Sequence, residues 1–292
     1  MRIAAVADEE RSWIGEVDEA GLQITEIVPP AGEMRDPMIR FLDQSLRGEK
    51  PEFVGKPRNL ADLHLLSPIR WPSKNVICVG KNYHAHAVEF TGSGYDSSAS
   101  SASDVIPGAP ILFSKAPCCL TGAKDDVKVP WALSSEIDYE AEVGLIIGRP
   151  GRNISPENAL QHVWGYTIIN DVTARDLQSR HKQWLLGKSI DTFCPMGPWI
   201  VSADEMEAGN IELSAWVNDE LRQQANTRDL IFDIPTIISV ISASMTLETG
   251  DIIATGTPAG VGIGFSPPKF LKTSDVVRIA IKGIGEISNV VR

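Results

Sequence analysis

Glu136-Ile137-Asp138-Tyr139-Glu140-Ala141-Glu142-Val143-Gly144-Leu145-Ile146-Ile147 decides the reading of this chain. The run is apolar at Tyr139, Ala141, Val143, Leu145 and Ile147, and successive side chains of a strand point to opposite faces. Read as a strand over Tyr139–Ile147, it sends Glu140 and Glu142 out of the same face, side by side. Two adjacent carboxylates repel unless something positive lies between them. A divalent cation answers that need, and oxygen-only ligands suit Mg²⁺, Mn²⁺ or Ca²⁺. By itself the Glu-x-Glu pattern also fits a solvated strand face.

Outward from this strand, short apolar runs dominate. Strands are expected at Arg2–Ala7, Trp13–Val17, Leu22–Val28, Asn75–Val79, Ile111–Ser114, Tyr166–Asn170, Trp199–Ser202, Ile211–Val217, Asp251–Thr255 and Val276–Ile281. Helical stretches are expected at Pro37–Leu46, after the Ser155-Pro156 start, and from Asp233 through Ala243. Asn218-Asp219 between apolar-alternating arms predicts a hairpin. Gly48–Pro57 reads as a loop. There is no internal repeat and no regular βαβ alternation, so a β-rich α+β fold is favoured over a doubly wound sheet. The texture changes near residue 72. This predicts a small N-terminal domain over 1–72 and a catalytic domain over 73–292.

Bulk composition narrows the function classes. The 292 residues are 43% hydrophobic and 22% charged, the composition of a globular protein. A net charge of −11 disfavours binding to phosphate backbones, so no nucleic-acid partner is expected. No apolar run reaches membrane-spanning length and no leader peptide is recognisable, which points to a cytoplasmic protein. Cys78, Cys118, Cys119 and Cys194 form no C-x-x-C pair and read as reduced thiols.

Four further stretches carry chemistry. In Thr167–Gln178 an apolar strand ends at Asp171. A helical continuation would line Asp171, Arg175 and Gln178 on one stripe, suited to a chelated carboxylate anion or equally to an Asp–Arg cap. In Asn82–Glu89, His86 and Glu89 stand three apart, so one helical turn lets the carboxylate orient the imidazole as a general base; His84 lies off that stripe. Lys188 sits in a turn-rich segment where its ammonium can face a pocket. The glycines of Ala254–Gly262 let backbone and the Thr257 hydroxyl approach a ligand, but Pro258 rules out a dinucleotide fingerprint. The small, polar segment Thr91–Pro107 directly follows the His/Glu pair and is expected to form a mobile loop over an active site.

Taken in order, CVGKNYHAHAVEF (78–90), DYEAEVGLIIG (138–148), GYTIINDVTARDLQ (165–178), GKSIDTFCPMGP (187–198), NTRDLIFDIP (226–235) and GDIIATGTPAGVG (250–262) resemble the fumarylacetoacetate hydrolase family, which includes acylpyruvate hydrolases. The resemblance covers about three-quarters of the chain. It implies a mixed β-sandwich or roll, commonly homodimeric. It implies Glu140, Glu142 and Asp171 as metal ligands, usually for Mg²⁺, sometimes Mn²⁺ or Ca²⁺. His86 and Glu89 would activate water, Lys188 would stabilise an oxyanion, and Tyr83, Arg175, Gln178 and Thr257 would contact a small 2-oxo acid. The activity implied is hydrolytic C–C cleavage of an acylpyruvate-type 2,4-dioxo acid such as fumarylpyruvate, as in aromatic catabolism. Oxaloacetate decarboxylation and hydroxymuconate-type isomerisation use the same metal-enolate site, and a non-catalytic binding protein is the remaining rival. Three positions depart from the family's pattern: Lys81 stands where many relatives have an apolar residue, the segment after Phe90 is long and Ser-rich, and Asn218-Asp219 replaces the more usual Asn-Gly.

Overall fold

The strand bearing Glu142 lies in the interior of the main sheet. In the computed structural model, which describes residues 1–96 and 105–292, Ala141–Ile147 pairs antiparallel with Val163–Asn170 on one side and Ile252–Ala254 on the other. All seven of its residues are buried, so its outer half is apolar at both parities. Beyond Val163–Asn170 the sheet continues through Cys194–Ser202, Arg2–Ala7, Ser12–Val17, Gln23–Val28 and Glu52–Asn59. Beyond Ile252–Ala254 it continues through Val76–Gly80 and Ile111–Lys115. Two short strands, His64–Leu65 and Leu120–Thr121, complete a sheet of twelve. A second, four-stranded antiparallel sheet orders Glu220–Asn226, Glu212–Val217, Val276–Ile281 and Gly285–Val290, and its strands pack on Cys194–Ser202, Ala141–Ile147 and Val163–Asn170 of the first. The result is the strand-rich, mixed α+β sandwich expected, with one core running between the sheets.

Local chemistry explains the elements. The helix Pro37–Leu46 starts where Asp36 accepts the Met38 N–H at 2.9 Å, has Pro37 in its first turn, and buries Met38, Ile39, Phe41 and Leu42. Asp233 caps Ile234–Ser244 by accepting from Thr236 N at 2.9 Å. Ser155 precedes the one-turn helix Pro156–Ala159 without a side-chain cap bond. Asn218 and Asp219 both adopt positive φ, 48° and 67°, the paired left-handed geometry of a tight hairpin. The four cysteines are free thiols. Among the described residues no helix is long and apolar enough to cross a membrane.

Three expectations are corrected. Gly48–Pro57 is not a loop: Glu52–Asn59 is a fully exposed edge strand, its backbone paired with Gln23–Val28. An edge tolerates Pro57, and the register slips opposite Ile24–Glu26, near left-handed Gly55. The strand expected over Tyr139–Ile147 begins only at Ala141, because Ile137–Asp138 pairs away with Thr173–Ala174. That pairing also keeps residues 171–174 out of helix, which starts at Arg175. The core of the expected loop over Thr91–Pro107, residues 97–104, lies outside the described residues.

Candidate active site

Glu140, Glu142 and Asp171 converge. One carboxylate oxygen from each lies within 4.8 Å of the others, and all three residues are buried. The backbone sets this up by cross-linking adjacent strand ends: Asp171 N donates to Glu140 O at 2.8 Å, and Glu140 N to Asn170 Oδ1 at 3.1 Å. Three cations surround the acids. Lys188 Nζ bridges Glu140 Oε2 at 2.7 Å and Asp171 Oδ2 at 2.8 Å. Lys115 Nζ, wholly buried, donates to Asp171 Oδ1 at 2.6 Å and to Val172 O at 3.0 Å. Arg175 Nε donates to Asp138 Oδ2 at 3.0 Å, and Nη2 lies 2.7 Å from Glu140 Oε1. That last contact is an ion pair without hydrogen-bond alignment, so Nη2 makes no hydrogen bond among the described residues.

The electrostatics divide the triad. Burial alone would raise the Glu140 carboxyl, but the Lys188 ammonium and Arg175 guanidinium hold it down to about 2. Glu142 is pushed well above the carboxylate range by burial and by Asp171 and Glu140 beside it. Its Oε2 accepts one backbone N–H, from Gly256 at 2.7 Å. Lys115 and Arg175 would be lowered by burial but are raised by their acidic neighbours, chiefly Asp171 and Glu140 respectively. An all-oxygen set with one carboxylate lacking a side-chain cation suits a hard divalent ion.

His86 and Glu89 lie on the helix His84–Gly92, one turn apart, with His86 Nδ1 3.1 Å from Glu89 Oε2. Glu89 Oε1 accepts from Gly260 N at 2.9 Å, which fixes the carboxylate that orients the ring. His84 is exposed. The imidazole stacks on Phe90, and Phe90 and Phe113 both meet Trp184 edge-on, at 5.9 and 4.9 Å. His86, Glu140, Glu142, Arg175, Gln178 and Lys188 line one narrow cleft, walled by these aromatics and lined also by Thr257 and Lys81.

The structure therefore brings together nine of the ten residues singled out, with differences of detail. Asp171, Arg175 and Gln178 do not share a helical stripe, since the helix starts after Asp171. Arg175 pairs with Asp138 and Glu140 instead, while Gln178 Oε1 accepts from Arg175 Nη1 at 3.1 Å. The Thr257 hydroxyl accepts from Gln223 Nε2 at 2.8 Å. Tyr83 does not line the cleft; it is buried just before the His84 helix, bridged to Leu230, with its hydroxyl unpartnered among the described residues.

Sequence reasoning missed Lys115, Asp138 and Gln223. Asp138 had a legible signal, two positions before Glu140 in the same acidic run. Its carboxylate accepts from Gly262 N at 2.6 Å as well as from Arg175. The glycine-rich stretch does permit close backbone approach, but to the site's own acids. Gly256, Gly260 and Gly262 donate to Glu142, Glu89 and Asp138. At Gly256 the φ of +103° and an added Cβ only 2.7 Å from Asn82 both demand glycine.

The comparisons with known proteins agree with this geometry. The model of the fumarylacetoacetate (FAA) hydrolase C-terminal domain matches residues 75–292. The chain is 50% identical over 232 residues to the oxaloacetate tautomerase YisK of Bacillus subtilis, covering 79% of this chain and 74% of that one. It is 42% identical over 232 residues to a mitochondrial oxaloacetate tautomerase of Xenopus laevis, covering 78% of this chain and 68% of that one. Among solved structures, a fumarylacetoacetate hydrolase from Exiguobacterium antarcticum superposes with a TM-score of 0.83 at 41% identity, over 100% of this chain and 99% of the other. The maleylpyruvate hydrolase of Sphingobium sp. SYK-6, solved with manganese(II) and pyruvate, gives a TM-score of 0.77 at 33% identity, over 100% and 98%. The chain belongs to the fumarylacetoacetate hydrolase family.

Proposed function

We propose that the protein is a keto–enol tautomerase of oxaloacetate or a closely similar C4 2-oxo dicarboxylic acid, working with a divalent cation held by Glu140, Glu142 and Asp171. The observation that carries this reading is the buried carboxylate triad with the His86–Glu89 pair beside it in one cleft, a metal site with a proton-transfer base at hand. The names of the Bacillus and Xenopus relatives point the same way.

A cation in the triad, Mg²⁺ or Mn²⁺ by donor type, supplies Lewis acidity that acidifies the C–H beside the 2-oxo group. The protein's own groups do the rest. His86, held by Glu89, removes or returns the proton at C3. Lys188 donates to the oxygen on which negative charge grows, and Arg175 Nη2 has a hydrogen to give the C1 carboxylate. Phe90, Phe113 and Trp184 keep bulk water from the carbanion-like carbon.

A second reading is hydrolysis of an acylpyruvate-type dioxo acid such as fumarylpyruvate. It is favoured by the His86–Glu89 pair, which is equally able to deprotonate water, and by the likeness to maleylpyruvate hydrolase. The test is a panel assay with Mg²⁺. Enzyme-dependent decay of enol-oxaloacetate absorbance without CO₂ release supports the tautomerase, whereas cleavage of fumarylpyruvate with oxaloacetate untouched establishes the hydrolase. Homodimeric assembly is part of the same proposal and is checked by sedimentation.

A further inference from the structure

We propose that Lys81 reads the distal carboxylate of the substrate, and that Asp96 occupies this cation until substrate displaces it. The inference rests on the C4 dicarboxylate reading above and names the group that would select the second acid function.

Lys81 is unusual on three counts. It lines the same cleft as Glu140, Glu142 and His86. Its side chain is 1% exposed, yet its Nζ meets no acid of the metal triad and instead pairs with Asp96 Oδ2 at 2.9 Å. Its backbone holds φ 54°, a left-handed conformation that favours glycine or asparagine over lysine. The next residue anchors the chain here. Asn82 is fastened by its side chain to Phe232 O at 3.0 Å and Thr255 O at 2.8 Å, and accepts from Phe232 N at 2.8 Å.

Charge explains why a second cation is needed. The metal cluster holds four carboxylates, those of Asp138, Glu140, Glu142 and Asp171, against three cations, Lys115, Arg175 and Lys188. A divalent ion turns that single net negative charge into a single positive one, enough for one substrate carboxylate. A dicarboxylate brings another, and a buried carboxylate needs its own partner. Lys81 is the remaining cation among the described residues lining the cleft. Asp96 is itself only 3% exposed, with Thr91 Oγ1 also donating to its Oδ2 at 2.9 Å. The chain thus presents to Lys81 the functional group, a carboxylate, that the substrate would present. Exchange of one carboxylate for the other keeps Lys81 paired but leaves the Asp96 carboxylate to Thr91 and water, so the net gain is smaller than that of a fresh ion pair.

The test uses two stable 2-hydroxy acids that differ in the distal carboxylate, lactate and malate, titrated calorimetrically into the Mg²⁺-loaded protein. Wild type should bind malate roughly tenfold or more tighter than lactate, below the full worth of one buried charge pair because Asp96 is displaced. Lys81→Met should erase that ratio while leaving lactate affinity unchanged. Asp96→Asn, which removes a carboxylate paired with Lys81, should tighten malate and leave lactate alone. The double variant Lys81→Met/Asp96→Asn removes both buried charges together, so it keeps the test valid where Lys81→Met alone is unstable; it too should lose the ratio. A malate-to-lactate ratio that survives Lys81→Met or the double variant, or an Asp96→Asn that weakens both acids alike, overturns the inference and makes the pair purely structural. Oxaloacetate turnover is followed separately. Turnover with the ratio intact in the variants sinks the role of Lys81 and leaves the tautomerase standing; a ratio that collapses without turnover does the reverse.

Discussion

Replacing Glu142 with Gln should invert the stability order of wild type and variant between metal-free and metal-loaded conditions. Glu142 shares a buried space with Glu140 and Asp171, with carboxylate oxygens within 4.8 Å of one another. At an effective dielectric of about 20, two unit charges 4.8 Å apart would repel by about 3.5 kcal/mol, which together with burial keeps a proton on Glu142 in the metal-free protein, at a cost to folding at neutral pH. Lys188 and Lys115 offset much of this for Glu140 and Asp171, but neither donates to Glu142. A neutral amide carries no such protonation cost and can still accept from Gly256 N. In EDTA, Glu142→Gln should therefore be more stable than wild type by about 1 kcal/mol, a rise of roughly 2–4 °C in Tm. At Mg²⁺ a hundredfold above Kd, wild type should gain about 2.7 kcal/mol, while the variant, short of one anionic ligand, gains little. Differential scanning fluorimetry of both proteins in EDTA and in Mg²⁺ provides the four values. A variant less stable than wild type in EDTA, with an undiminished Mg²⁺ shift, would refute the assignment of Glu142 as a ligand and the repulsion argument with it.

Other expectations follow from single contacts. His86→Ala should lower turnover by about 100-fold or more while preserving the Mg²⁺ thermal shift, because the imidazole belongs to proton transfer and not to the triad. Lys188→Met should slow turnover by about 100-fold through loss of its donor to the developing oxyanion; steady-state kinetics at saturating metal reads this. In Gly264→Ala the new Cβ would fall 1.8 Å from Glu89 Oε1. That variant should lose activity by displacing the orienting carboxylate, with metal binding by calorimetry unchanged. Asp219→Gly relieves a left-handed residue at φ 67°. It should raise stability by about 0.5–1 kcal/mol in chemical denaturation, with kinetics unaltered.

What was legible in the sequence was what depends on near neighbours. The Glu140/Glu142 pair, the His86–Glu89 turn, the Asp233 helix start and the Asn218-Asp219 hairpin are all set by spacings of one to three residues. What escaped depends on which distant segments meet. Lys115 reaches Asp171 across 56 positions, and Gln223 reaches Ala141 N across 82. Both look like ordinary polar residues in strands until the sheet order is known. The same cause undid the Asp171–Gln178 stripe. Thr173–Ala174 had a local helical reading, but pairing with Ile137–Asp138 holds it extended. Glu52–Asn59 was hidden because an exposed edge strand needs no apolar alternation, only a neighbour with free backbone groups. Lys81 stood out as a departure from the family pattern, yet only its burial beside the metal triad and its pairing with Asp96 suggest a use.

The central claim is proton transfer at C3 of a C4 oxo diacid, and NMR of oxaloacetate in D₂O tests it most directly. With Mg²⁺-loaded wild type, deuterium should enter C3 far faster than in buffer with Mg²⁺ alone. That acceleration should disappear with EDTA, with Glu142→Gln and with His86→Ala, and no pyruvate should accumulate beyond the background. C3 exchange at the uncatalysed rate, alongside cleavage of fumarylpyruvate by the same preparation, would contradict the account.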